Sequence, residues 1–310
     1  MIIVTPTNVP PSEVTASDVL SSTNVAESAT PLYNASTNYV VGDTVLVKDT
    51  YYRLYESISG TSDLEGEYNT GNYPPTSPAH WLDLGATNRW KMFDKGTGTR
   101  TENADLISVT IIPPLPINAL VFFNLDAAEV YIAAKDSTGT TFYEATIALF
   151  DNSFVSNWYD YFFEPIVKAP DKAVVDLPSF GIDEIDIEIR NPSSTAKCGL
   201  LVVGRQKQIG TAVYGSSVSI KDYSRKEPDE FGGFEVVERR FSKLADYDIV
   251  MRPSFVRPVQ QLLSQLRATP AVYIGDPRLD ETVVYGYYRD FTIVLSDFAT
   301  ATTNLQVEGL

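Results

Sequence analysis

The chain carries one histidine and one cysteine in 310 residues. Nucleophilic catalysis by Ser or Cys needs a base beside it, most often His, and His80 in "TSPAHWLD" is the sole one available. A lone cysteine excludes an intrachain disulfide, so packing must supply the stability. Cys198 lies in the apolar run "STAKCGLLVVG" and reads as a small buried side chain. No Cys/His cluster has zinc spacing. "DKGTGT" lacks the Lys-Ser/Thr ending and strand-to-helix setting of a phosphate loop. The expectation is therefore a non-enzyme that needs no cofactor and no metal. Carboxylates are plentiful enough for a glycosidase pair to stay open on composition alone.

Positive charge is short as well. Against 40 Asp and Glu stand 24 Lys and Arg, for a net charge of −16. No basic run offsets this locally, which argues against nucleic acid and against adsorption to an anionic membrane. Long apolar runs are missing. "INALVFFNL" is far too short to span a bilayer, so membrane insertion is not expected. "MIIVTPTNVP" has neither the basic start nor the apolar core of a secretory signal, and the reading is of a chain folded in a cytoplasm.

Aromatic residues, by contrast, abound: 18 Tyr and 15 Phe within a composition 44% hydrophobic and 21% charged, which is that of a globular protein. Residues 1–30 are rich in Ser, Thr and Pro and too poor in apolar residues for a core. They read as an extended arm lying on another surface, with "SEVTASDVL" after Pro11 as a short helix docked by Val14 and Leu20, or else as a free, disordered tail. Residues 31–84 form a small unit around the hairpin "YVVGDTVLVKDTYYRLYESI". Val45 and Val47 share a face of its first strand. In the second strand Tyr52 and Leu54 share one face while Tyr51, Arg53 and Tyr55 point the other way. Rings on both faces of a small hairpin mean either that protein covers both, or that one is offered to a ligand that prefers flat rings.

From 85 to 205 the pattern is that of a β-sandwich, with turns at "PPLP" and "DSTGT". "IDEIDIEIR" puts Ile185, Ile187 and Ile189 inward and Asp186, Glu188 and Arg190 outward. "CGLLVVG", without polar alternation, suits a strand covered on both sides. Residues 206–310 hold one helical pattern. Val259, Leu262, Leu263 and Leu266 recur at helical spacing, Pro258 suits the first turn and Pro270 follows the end, which predicts a helix over 258–268. It is expected to cross a sheet whose last long strand, "ETVVYGYYRDFTIVLSDF", gathers Val283, Tyr285, Tyr287, Phe291, Ile293 and Leu295 on one face, interrupted at Arg289. "DYSRKEPDEFGGF" reads as a surface loop, a subunit contact or a calcium site, although the spacing of an oxygen cage is missing. The fold class is mainly β: a three-stranded module, a jelly-roll sandwich and a C-terminal sheet packed by one helix.

Tyr39, Gly42-Asp43, Val45, Tyr52, Pro74 and Trp81 fall in the order Y-x-x-G-D-x-V…Y…P…W. This resembles the small chitin- or cellulose-binding-type modules of glycoside hydrolases and phage tail proteins. In such modules the hairpin and last Trp are largely structural and exposed aromatics hold the sugar, one of them near the module's start, where this chain has Tyr33. The candidate carbohydrate-binding set is Tyr33, Tyr51, Tyr55, Tyr73 and Trp81. "WLDLGATNRWKMFDK", "YGSSVSIKDYSRKEPDEFGGFEVVERRFSK", "LLSQLRATPAVYIGD", "YGYYRDFTIVLS" and "LQVEGL" together resemble tailed-phage tail and baseplate proteins. "NRWKMFDKGTGTR" before a first strand is similar to galactose-binding-like jelly rolls. The resemblance implies a virion protein assembled in the host cytoplasm as a ring or trimer, joined to other tail proteins at the tip, baseplate or collar. Its alternative is a host-surface glycan receptor-binding role.

Overall fold

The computed structural model describes residues 1–6, 20–48, 52–59, 71–151, 157–163, 167–228 and 234–310. It is mainly β, as composition and alternation predict. Three antiparallel sheets carry it, with ten, five and three strands, beside two short two-stranded ribbons.

The sandwich begins with alternation. In the strand Glu184–Cys198 the isoleucines at 185, 187 and 189 are fully buried, while Asp186, Glu188 and Arg190 are partly exposed. This strand lies at the centre of the five-stranded sheet, between Thr101–Ile111 and Glu129–Lys135, with Leu20–Thr23 and Thr141–Ala148 at the edges. Its isoleucines meet Leu120, Phe122, Leu201 and Val203 from the ten-stranded sheet, so the two sheets share one core. Each fully buried Leu, Ile or Phe contributes about 1.5–3 kcal/mol of hydrophobic stabilisation.

The ten-stranded sheet has the order Lys172–Val174, Ala119–Phe123, Leu200–Gln208, Ile2–Pro6, Ala271–Ile274, Val283–Leu295, Ala301–Gly309, Phe241–Met251, with Thr211–Ala212 and Ser217–Asp222 both on the edge of the last. It does not lie flat. Phe123 and Tyr285 sit four strands apart, roughly 19 Å at the usual interstrand spacing. Their ring centroids are nevertheless 5.8 Å apart. Lys172, on the first strand, pairs with Asp280 at 2.9 Å just ahead of the sixth, and Asp171 pairs with Lys243 of the eighth. The sheet therefore curls on itself. Inside the curl Val4, Val121, Val202, Val272 and Ile274 form a core that no other sheet has to cover. The run "LLVVG" is buried on both faces for this reason: Leu201 and Val203 face the sandwich, Leu200 and Val202 the curl.

The helix runs Val256–Gln265, two residues earlier at its start and three at its end than its apolar spacing predicts. Pro258 lies in the first turn, where its missing N–H costs nothing. Val259, Leu262, Leu263 and Leu266 pack on the far strands against Tyr247, Ile249, Leu305 and Val307.

Four expectations need correction. Residues 1–30 are not an arm on the outside. Ile2–Pro6 pairs with Leu200–Gln208 on one side and Ala271–Ile274 on the other, and Leu20–Thr23 is a strand of the sandwich. A single apolar strand needs no core of its own when two partners supply its hydrogen bonds. The predicted helix and Val14 lie outside the described residues. A boundary near 205 is crossed by Leu200–Gln208, which belongs to the sandwich and to the curled sheet at once. The face drawn through Tyr285 and Phe291 is two faces: a bulge at Arg289 adds a residue, so Tyr288, Phe291, Ile293 and Leu295 pair opposite Val307, Leu305, Thr303 and Ala301 on the helix side. "DYSRKEPDEFGGF" is not only a loop, since Arg225–Pro228 pairs with Phe234–Val237 as a ribbon.

Candidate functional site

The small module is built from Thr44–Lys48, Tyr52–Ser57 and Trp81–Ala86. Val45 lies opposite Tyr55, and these two with Val47, Tyr39 and Trp81 make its interior. Asp43 organises the entry: its carboxylate accepts from the Val40 N–H at 2.8 Å, while Gly42 takes the left-handed φ of +93° that the turn requires. The Trp81 indole donates to the Asn72 carbonyl at 2.8 Å, so the ring is fixed at both its apolar and polar ends.

This geometry separates the five candidate sugar-binding residues. Trp81 is 2% and Tyr55 5% exposed, so neither presents a ring face to a ligand. Tyr73 is 42% exposed and Tyr33 half-buried, with ring centroids 5.8 Å apart in an edge arrangement. Tyr33 stacks on Tyr39 at 5.7 Å, and its buried hydroxyl has no partner among the described residues. Tyr51 lies outside the described residues. The opposite face of the hairpin is covered too. Tyr52 packs into the sandwich core 6.0 Å from Trp90, whose indole donates to Glu27 at 2.7 Å. Rings occupy both faces of the hairpin because protein lies on both.

The other chemistry-bearing residues fall elsewhere. Burial pushes the Cys198 thiol up to about 12, where it carries no thiolate at neutral pH. His80 Nδ1 faces Ser59 Oγ at 2.7 Å, a contact that no sequence signal marked. That is the nitrogen a catalytic triad gives to its acid rather than to its nucleophile. Among the described residues no group of three His, Cys, Asp or Glu is arranged to hold a metal ion.

Sequence reasoning missed two exposed apolar surfaces. The first is the helix Trp158–Phe163, where Trp158 is 79% exposed and Tyr159, Phe162 and Phe163 are 70% exposed. Its rings pair at i,i+4, Trp158 with Phe162 and Tyr159 with Phe163, the latter at 4.7 Å. The second begins at the sheet edge, where every residue of Ser217–Asp222 is exposed, Ile220 by 65%. Phe241, paired opposite Asp222, extends it and is 57% exposed, and Val236, on the ribbon that follows in sequence, is 61% exposed. Alternation across "SVSIKD" does not by itself say that both faces stay exposed.

A cavity of about 620 Å³ opens where the curled sheet nearly closes. Phe123 and Tyr285 line it from the curl, Val284 of the helix-side core borders it, and Arg100, Arg240 and Lys243 line its rim. Comparison with known protein families, with characterised proteins and with solved structures finds no match.

Proposed function

We propose that this protein is a structural component of a bacteriophage tail, at the tip, baseplate or collar, which assembles as a homo-oligomer and links neighbouring tail proteins. The observation that carries the reading is the sheet edge at Ser217–Asp222. Its residues are all exposed, it continues into Phe241, and Val236 on the ribbon that follows in sequence is exposed as well. Exposed apolar side chains such as Val218 and Ile220 on an edge strand are a usual template for another chain, and the charge of this strand is confined to its end, at Lys221 and Asp222. The three large cores among the described residues are filled by fully buried side chains, so an exposed apolar edge outside them supports assembly over loose packing. The tail itself enters through the sequence resemblance. Mass measurement of the purified protein should return a fixed multiple of the chain mass, and Ile220→Glu with Val236→Glu should return single chains without lowering the unfolding midpoint. A wild-type monomer at high concentration, or virions in which labelled protein sits only on the capsid, would overturn the proposal.

A second reading, adsorption to a host-surface glycan, draws on the Tyr33–Tyr73 corner alone. On a glycan array Tyr73→Ala should abolish any signal while the module stays folded; an empty array leaves the assembly role by itself.

A further inference from the structure

We infer that the cavity at the closing edge of the curled sheet is a binding site for a small organic carboxylate carried on a ring. Its floor is apolar and rigid. Phe123 and Tyr285 are 5% and 4% exposed and pack on each other. Its volume lies within the range of small-molecule sites, about 300–1,000 Å³.

The rim decides the charge. Lys243 is spent on Asp171, whose other oxygen accepts the Asn124 N–H, so this pair is internally neutral. Among the described residues the Arg100 guanidinium donates to the Asn124 side-chain amide oxygen and is near enough to Asp126 to help lower its pKa, and Arg240 has no side-chain hydrogen bond or ion pair. Two guanidinium groups thus reach the cavity without an ion pair to a carboxylate among the described residues, in a protein whose net charge is −16. Against three cations the lining sets the Asp171 carboxylate and the terminal one of Leu310, whose oxygen accepts from Thr97 Oγ1 at 2.9 Å, which leaves room for one further negative charge. A planar guanidinium offers paired N–H donors at the spacing of a carboxylate's two oxygens. Phosphate, bearing nearly two charges, would be stripped of water over a largely apolar floor with too few donors to replace it. A carboxylate on a flat ring satisfies the rim and the floor together.

Arg240 is held where the chain makes room for it. Gly98 lies beneath its guanidinium, and a Cβ there would meet Nη1 at 2.1 Å. Alanine at 98 would displace the flexible end of Arg240 while leaving the buried floor intact, which gives two independent ways to remove one cation.

The test is titration calorimetry on the full chain with benzoate and glucuronate, their neutral counterparts benzyl alcohol and glucose, and inorganic phosphate. One of the two carboxylates should bind saturably, with its neutral counterpart and phosphate roughly tenfold weaker or worse. Preference for benzoate would assign an aromatic acid, preference for glucuronate a sugar acid. Arg240→Gln and Gly98→Ala should each weaken binding roughly tenfold with an unchanged unfolding midpoint. The assignment is overturned if neither carboxylate binds, if the neutral compounds or phosphate bind as well, or if both variants bind like the parent.

Discussion

At the scale of single residues the rings of the small module divide by what holds them. Trp81 is fixed between Tyr39, 5.2 Å away, and the Asn72 carbonyl, whereas Tyr73 leans out from the same cluster. Trp81→Ala should therefore cost about 3–5 kcal/mol in urea unfolding of the module, as large-to-small changes in a core do. Tyr73→Ala should stay within about 0.5–1 kcal/mol, which the same titration reads. Asp186 provides the pH-dependent case. Burial works to raise its pKa, but hydrogen bonds from Lys135, at 2.5 Å, and Thr110, at 2.7 Å, outweigh it and hold the carboxyl below its ordinary 3.8. A carboxylate depressed on folding stabilises above its unfolded value, and that contribution is lost as pH falls through the folded value. The midpoint difference between the parent and Asp186→Asn should thus be constant near neutrality and shrink below pH 3.8. A difference that persists unchanged into acid would show that the pair does not act through charge.

At the scale of elements the bulge at Arg289 does most to arrange the last long strand. Without it, strand alternation would send Phe291, Ile293 and Leu295 to the face of Tyr285, away from the helix. Deleting Arg289 alone should remove the bulge and leave Phe291, Ile293 and Leu295 opposite Leu305, Thr303 and Ala301, whereas deleting Arg289 and Asp290 together should shift the alternation by one and turn those three side chains away from the helix. The double deletion is expected to lose the helix packing, read as rapid proteolysis within 256–265 and a lost near-ultraviolet signal, while the single deletion keeps both close to the parent. Leu263 offers a gentler probe of the same interface. It is fully buried there, and Leu263→Ala should cost about 2–5 kcal/mol without altering the strands.

At the scale of the whole molecule the decisive element is the first strand. Ile2–Pro6 lies in the middle of the ten-stranded sheet, with Ile3 facing the helix side and Val4 the inside of the curl, both fully buried. Removing residues 1–6 would leave two strands facing each other across an empty slot, their backbone donors and acceptors unpaired. The truncated chain is expected to be insoluble or to lose cooperative unfolding, and a six-residue peptide of that sequence added in trans should restore it in part. A truncated chain as stable as the parent would mean that the sheet closes without this strand.

Much of this was legible in the residues. Alternation at Ile185, Ile187 and Ile189 gave the sandwich strand and its inward face, the unbroken apolar run at 200–203 gave a strand buried on both sides, and the spacing of Val259, Leu262 and Leu263 gave the helix. These are local properties: a period of two or of 3.6 is written into neighbouring side chains and needs no partner to be read. The deficits were equally informative, since a lone His80 and a lone Cys198 bound the available chemistry before any coordinates. Partnership was another matter. That "IIVTP" enters the centre of a sheet nearly 200 residues away, that Phe123 meets Tyr285 across four strands, and that Arg100 and Arg240 converge on one cavity all follow from how the sheet curls. Curling is the summed result of twist over many strands, and no short stretch of sequence carries it. Composition and spacing thus settled which faces are apolar in the elements they marked, while long-range packing settled which faces found a cover and which stayed exposed.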